Sequence, residues 1–269
     1  MRVALLSCSP LPEPDHDEQP LVAALERRGA SVSVLPWDDS SVDWGHFDHV
    51  VVRATWDYHL QVDAFLTTLA AIDLVSRLHN PLPVIRWNVH KRYLHALDAG
   101  GVGVIPTRLL RRGATAWPPL PSPAVIKPAV SGSSWETRRL DGPSAERFLT
   151  ASVAARDTLV QPDVPGFVDP GEHSLVYIGG ALSHAVVKQP RFAGDDESVR
   201  ALASPPPAAR AVADASVALL PAPCAFTRVD LVPFDGAWVV SELEAIEPSL
   251  FLPTHGPAAD RLAACILRG

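Results

Sequence analysis

The stretch RVDLVPFDGAWVVSELEAIEPSL, residues 228–250, constrains the fold of this chain more than any other. It reads as two extended runs joined at Asp235-Gly236, a dipeptide favoured in tight hairpin turns. Yet Asp230, Glu242 and Glu244 stand among Val, Leu and Trp. Side chains alternate across a strand, so Arg228, Asp230 and Val232 share one face. Trp238, Val240, Glu242 and Glu244 share a face of the second run. The turn decides whether the acids meet. A two-residue loop at Asp235-Gly236 pairs position 230 with 241 and sends Asp230 and Glu242 to opposite faces. A three-residue loop, Asp235-Gly236-Ala237, sets Asp230 opposite Glu242. Their Cα atoms are then roughly 5 Å apart, with Glu244 about 7 Å further along. Two carboxylates about 4 Å apart repel by about 4 kcal/mol at an effective dielectric near 20. A divalent cation reverses that sign, and all-oxygen ligands suit Mg²⁺ with phosphate oxygens completing its shell. The alternative is a solvent-facing hairpin with scattered acids.

The segments before the hairpin alternate between strand and helix patterns. RVALLS (2–7), SVSVLPW (31–37) and HVVVRATW (49–56) read as strands, and 18–28 and 62–78 as helices. That order predicts a small α/β unit with a mainly parallel sheet. PVIRW (83–87) reads as a further short strand, and Asn88 as the cap of a helix over 89–98 ended by Gly100 and Gly101. GVIPTRLL (103–110) is extended. Beyond the proline-rich AWPPLPSP the pattern turns to strands with tight turns, with helices near 143–155, 205–220 and 257–267. The whole is α/β followed by α+β, in three lobes. The lobes divide as an N-terminal unit over 1–82, a connecting segment 83–118, a small lobe 119–164 and a C-terminal lobe 165–269.

Several function classes are disfavoured. Thirty acidic against 23 basic residues, a formal charge of −7, disfavour nucleic acid as a general partner. No apolar run is long enough to span a membrane, and the short apolar run of MRVALLSCSP reads better as a first strand than as a signal peptide. Cys8, Cys224 and Cys265 are isolated, without zinc or CxxC spacing, and are expected to be reduced thiols of a cytoplasmic protein. The first turn lacks GxGxxG and no Walker A motif is present. His59, His184 and His255 have no partner at metal or triad spacing and are read as structural or surface groups.

Cations for a polyphosphate nevertheless recur at intervals. Lys91 lies near a helix start; Lys127 ends AVI and precedes the small polar loop AVSGSSW; Lys188 ends SHAVVK. In order, Lys91, Lys127 and its loop, LVQPDV, GEHSLVYIGG, Lys188, RVD and ELE resemble the ATP-grasp ligases over about residues 80–255. GEHSLVYIGGALSHAVVKQP and RVDLVPF…SELEAIEP are similar to segments of D-alanine–D-alanine ligase. RATWDYH (53–59), RWNVHKRYL (86–94), VIKPAVSGSSWETR (125–138) and ELEAIEPSLFL (242–252) resemble most closely the O-ureido-D-serine cyclo-ligase group, which closes the D-cycloserine ring.

That resemblance implies an ATP-grasp fold: an N-terminal α/β lobe, a small lid lobe and a C-terminal α+β lobe. It implies that Lys91 and Lys127 contact nucleotide phosphates, and that Ser131, Gly132 and Ser133 form a lid loop. Gln161 would line the adenine pocket and Glu172 would meet the ribose. Lys188 would face the transferred phosphate, acting catalytically with Arg228, and Asp230, Glu242 and Glu244 would hold two Mg²⁺. Glu244 stands where many members have Asn, the lid loop has fewer glycines than usual, and an extra residue precedes Pro248. RATWDYH follows a strand whose carboxyl end should face a ligand. There Arg53 would pair with a substrate carboxylate, Asp57 or Glu247 would receive an ammonium group, and Trp56 and Tyr58 would wall the pocket. The alternative makes Trp56 and Tyr58 core residues and Arg53 a structural ion pair. The implied reaction is ATP-dependent activation of the carboxylate of a small amino-acid-derived substrate as an acyl phosphate, followed by attack of a nitrogen. In a cyclo-ligase that nitrogen belongs to the same molecule; in an amino-acid or dipeptide ligase it enters separately. A nucleotide-binding module without catalysis is the third alternative. The architecture also admits a homodimer, though no interface is legible in the sequence.

Overall fold

The computed structural model describes residues 1–132, 134–189 and 198–268; Ser133 of the expected lid loop lies outside them. The N-terminal strands β1 (Arg2–Ser7), β2 (Ser31–Pro36), β3 (His49–Ala54) and β4 (Arg77–His79) form a parallel sheet of order β2-β1-β3-β4. Val3 and Leu5 pack on one face against Leu21 and Leu25 of α1 (Glu18–Glu26). Ala4 and Leu6 pack on the other against Phe65, Leu69 and Ile72 of α2 (Val62–Val75). A parallel sheet needs both faces covered, which is why its strands are apolar on both sides.

The expected short strand at 83–87 is instead a helix, α3 (Leu82–Asn88). Proline at the second position is pre-set for a first helical turn, and Leu82, Ile85 and Asn88, three apart, all turn inward. A five-residue apolar run does not by itself reveal its period. Asn88 is consequently not a cap, and the next helix, α4 (Tyr93–Ala99), starts later than expected.

The second sheet, of order β5-β8-β6-β7, combines β5 (Arg108–Leu110), β6 (Ala124–Pro128), β7 (Arg138–Leu140) and β8 (Thr158–Pro162). Helix α5 (Gly142–Ala155) covers it through Ala145, Leu149 and Val153. Its first strand comes from before the proline-rich stretch, inside the span read as a connector.

The third sheet is antiparallel, in the order β11-β10-β9-β12-β13: β9 (Glu172–Ile178), β10 (Ala181–Gln189), β11 (Ser198–Leu202), β12 (Phe226–Phe234) and β13 (Ala237–Glu244). Leu175, Tyr177, Val229, Leu231, Val240 and Leu243 join a core with α4 and Ala213 of α6 (Pro207–Ala218). The last helix, α7 (Ala258–Arg268), packs through Leu262, Ala263 and Ile266 into the core that holds α1.

Candidate active site

The hairpin resolves its own ambiguity in a way neither expected register contains in full. Asp235 and Gly236 both have positive φ, 50° and 77°, as a two-residue type I′ turn requires, so Phe234 pairs with Ala237 and Leu231 with Val240. The register then shifts, and Asp230 pairs with Glu242. Ser241 is the extra residue of a β-bulge. Leu231 and Val240 therefore stay in the core while Asp230, Glu242 and Glu244 turn to the opposite face, towards the other two lobes.

Four cations from different elements meet these acids. Lys127, at the end of β6, lies 2.8 Å from Glu242, and Lys91, before α4, lies 3.6 Å from it. Lys188 on β10 bridges Glu172 at 2.7 Å and Asp230 at 3.1 Å. Arg228, two residues before Asp230 and on the same face, binds Asp230 at 2.9 Å, binds Glu244, and donates to the Ser249 carbonyl at 3.0 Å. Ser174 donates to Asp230 at 2.6 Å, and Ser241, the bulge residue, donates to Glu172. Lys91 also reaches the Ser131 carbonyl at 3.1 Å, tying the start of the expected lid loop to the same cluster.

The charges are strongly perturbed. Burial would raise the Glu242 pKa, but Lys127 and Lys91 outweigh it and hold this carboxyl well below its usual range. Asp230 is likewise lowered: burial opposes ionisation, and Arg228 and Lys188 overcome it. Burial also works against the charge on Lys188, yet Asp230 and Glu172 raise its pKa. Glu172 and Glu244 are raised, by burial first, with Lys188 and Arg228 respectively offsetting only part of it. Glu247, half-buried beside Glu244, is pushed up to about 8, by desolvation first and then by the Glu244 charge.

These groups line a cleft of ≈570 Å³ between the three sheets. At one end, Ile105, Val125, Gln161, Pro162 and Phe167 supply a mostly apolar wall, with the Gln161 amide held on Thr107 at 2.7 Å. Ser131, whose carbonyl accepts from Lys91, borders the middle, and Gly132 lies next to Trp56 and Glu247. At the other end stand Trp56, Tyr58 and Glu247. Glu172 lines the cleft too, but its carboxylate is engaged by Lys188 and Ser241.

Two expected substrate residues are elsewhere. Arg53 is buried and pairs with Asp17 at 3.3 Å and the Pro248 carbonyl at 3.1 Å. It is the structural ion pair of the alternative reading, because β3 has both faces covered and the side chain is directed into the interior. Asp57 accepts from the Trp37 indole at 2.7 Å and does not reach the cleft. His184 donates its Nε2–H to the Leu250 carbonyl at 2.7 Å and stacks on His255, away from the cleft.

Ser174, Ser241 and Tyr93, which sequence reasoning passed over, and Asn88, which it read as a helix cap, shape the site. Ser174 and Ser241 orient the acids. Asn88 bonds the Leu243 carbonyl and the Ala245 amide, each at 2.8 Å, and the Tyr93 hydroxyl accepts from the Leu243 amide. Together they satisfy the outer edge of β13 as a further strand would, and so fix Glu242 and Glu244. Serines on β-strands and an Asn after an apolar run carry no local signal of such roles. Among the described residues, no set of three His, Cys, Asp or Glu side chains is already grouped as a metal site. Fit is instead a matter of donor type: hard carboxylate oxygens on one sheet face, with the Glu242 and Glu244 side chains 25% and 28% exposed towards the cleft and that of Asp230 only 2%.

Residues 3–80 match a family model described as "D-cycloserine synthetase DcsG, N-terminal domain". The cycloserine biosynthesis protein DcsG of Streptomyces lavendulae is 32% identical over 283 aligned positions, 94% of this chain and 93% of that protein. The crystal structure of D-cycloserine synthetase DcsG superposes with a TM-score of 0.88 at 29% identity, covering 100% of this chain and 99% of that one. D-alanine–D-alanine ligase from Bacillus anthracis, complexed with ATP, gives 0.71 at 15% identity, covering 100% and 96%. A RimK domain ATP-grasp protein from Sphaerobacter thermophilus gives 0.69 at 19%, covering 99% and 100%. At such identities the last two matches speak for the ATP-grasp fold alone.

Proposed function

This chain belongs to the D-cycloserine synthetase DcsG family of ATP-grasp ligases, and from that premise we propose that it closes a ring on a small amino-acid-derived substrate, as in the conversion of O-ureido-D-serine to D-cycloserine with release of ADP and phosphate. One observation carries the reading: cations from the connecting segment, the small lobe and the C-terminal lobe converge with carboxylates of a single sheet face, next to a pocket end walled by Trp56, Tyr58 and Glu247.

The apolar wall around Gln161 and Phe167 suits a nucleotide base. Lys91 and Lys127 stand where they can neutralise a polyphosphate, and the loop that starts at Ser131, bonded to Lys91, offers backbone groups to it. Lys188 and Arg228 face the middle of the cleft, where they stabilise charge on a phosphoryl group in transfer. The substrate carboxylate attacks the γ-phosphorus, and a nitrogen of the same molecule then displaces phosphate from the acyl carbon. Holding that nitrogen against the acyl carbon is a matter of orientation, worth many kcal/mol when the geometry is right. Glu247 is the group we assign to the substrate's ammonium, Arg53 and Asp57 being engaged elsewhere. Glu242 and Glu244 are the ligands we assign to magnesium; the oxygens of Asp230 are taken up by Ser174, Arg228 and Lys188, and its part is to orient those cations. Magnesium held there would supply charge neutralisation to the nucleotide phosphates.

The test is incubation of the purified protein with Mg-ATP and O-ureido-D-serine, following ADP and the cyclic product by mass spectrometry. One ADP per ring without any second amine is expected. A strict need for a separate amine would replace ring closure by intermolecular ligation. No ADP with any amino-acid-derived carboxylate would remove the ligase reading.

A further inference from the structure

Trp135 does not line the cleft, yet three lines of geometry converge on it. Its ring lies 5.0 Å from that of His59, which belongs to the short turn Tyr58–Leu60 of the N-terminal lobe. The Arg156 guanidinium, just beyond α5, sits 4.6 Å over the same indole and is itself paired with Glu136. The indole thus bridges a ring of one lobe and a cation of another.

The backbone around it is held in an unusual state. Ser134 and Glu136, on either side of Trp135, both have positive φ, 56° and 51°. Residues with side chains adopt that region mainly where their surroundings hold them there. Next to it, a methyl group on Gly132 would lie 3.5 Å from His59 Nδ1, 3.5 Å from the Trp56 carbonyl and 3.7 Å from a Glu247 oxygen. The loop therefore rests directly on the substrate end of the cleft. Both His59 ring nitrogens are buried with no hydrogen-bond partner among the described residues. Burial lowers the His59 pKa, so the ring meets the indole as a neutral group, tilted by 49° to it.

We propose that Trp135 is a positioning residue that latches the lid loop to the N-terminal lobe, and that this contact keeps water from the activated carboxyl. The inference rests on the ligase reading above. Without the latch, water attacks the acyl carbon in place of the substrate nitrogen. The carbon–oxygen bond to phosphate breaks, giving back the carboxylate, with inorganic phosphate and one proton released. ATP is then spent without ring closure.

Trp135→Ala tests this, with Trp135→Phe as the conservative variant and His59→Ala as an independent way to remove the ring it meets. Two readouts are taken: rings formed per ADP, and the rate of trypsin cleavage after Arg138 and Arg139, the exposed residues that follow the loop. In Trp135→Ala, rings per ADP should fall by about tenfold and cleavage should accelerate; Trp135→Phe should restore both. His59→Ala should behave like Trp135→Ala, and it decides the matter if Trp135→Ala does not fold. Wild-type values for either readout in the folded variants overturn the latch. If wild-type protein forms no ring product, the ligase reading fails on its own. The latch is then judged by cleavage alone, and unaltered cleavage overturns it.

Discussion

Glu242 is the residue on which the site turns, since Lys91 and Lys127 both reach it from outside its own sheet. Replacing it by Gln removes an oxygen assigned to magnesium and leaves two buried ammonium groups without their anion. ADP formation with Mg-ATP and substrate should fall by at least about 100-fold, read by steady-state assay. An unchanged rate would end its assigned role. Glu247 offers a pH test. Its carboxyl titrates near 8 in the fold, raised by burial and then by Glu244, against about 4.3 in an unfolded chain. Between those values the folded state keeps a proton that the unfolded state has lost. Its contribution is full below about pH 4, declines as pH rises and is gone above about 8. The urea midpoint of the free protein should therefore fall from pH 6 to pH 8.5, and Glu247→Gln should flatten that fall. Glu172 and Glu244 are also raised, so a residual slope is expected.

At the scale of the element, the hairpin β12–β13 shows how one inserted residue sets a site. With a two-residue turn and no bulge, Glu242 would oppose Val229 and point into the core. The bulge at Ser241 reverses that, and the cost of opposing Asp230 and Glu242 is offset by Arg228, Lys188 and Lys127. The turn must hold its type for the register to hold. Gly236 sits at φ 77° with open space around it, so Gly236→Val strains the backbone without a clash. It should destabilise the chain by about 1–2 kcal/mol, seen as a lower urea midpoint with an unchanged m-value. The hairpin, its acids and its turn residues were all legible in the sequence. The bulge was not, because Ser241 resembles any other strand residue until the partner strand and the Glu172 carboxylate are in place.

Across the whole molecule, the segment 247–252 is held almost residue by residue from other elements. Trp56 donates to the Glu247 carbonyl, Arg53 to that of Pro248 and Arg228 to that of Ser249. Asp17 receives the amides of Leu250 and Leu252. This strap fixes Glu247 at the cleft and joins the N-terminal sheet to the hairpin. Arg53→Met leaves Asp17 buried without its cation, and should lower stability by about 3 kcal/mol in urea unfolding. The KM for the substrate should change far less than that loss suggests, because Arg53 does not face the cleft. A large rise in KM with unaltered stability would return Arg53 to the substrate pocket.

The sequence by itself determined the parallel and antiparallel layers, through apolar runs of different period, and the identity of most charged groups in the cleft. Charged residues embedded in apolar strands are conspicuous, since burying them unpaired is expensive. Only the tertiary structure decided which charges pair with one another. Arg53 and Lys127 are both cations beside strands, yet one meets Asp17 in the interior and the other meets Glu242 across a cleft. The physical reason is distance along the chain: Lys127 and Glu242 are 115 residues apart, and Arg53 lies 36 residues from Asp17 and 195 from Pro248. No local pattern encodes a contact that exists only after separate lobes have docked.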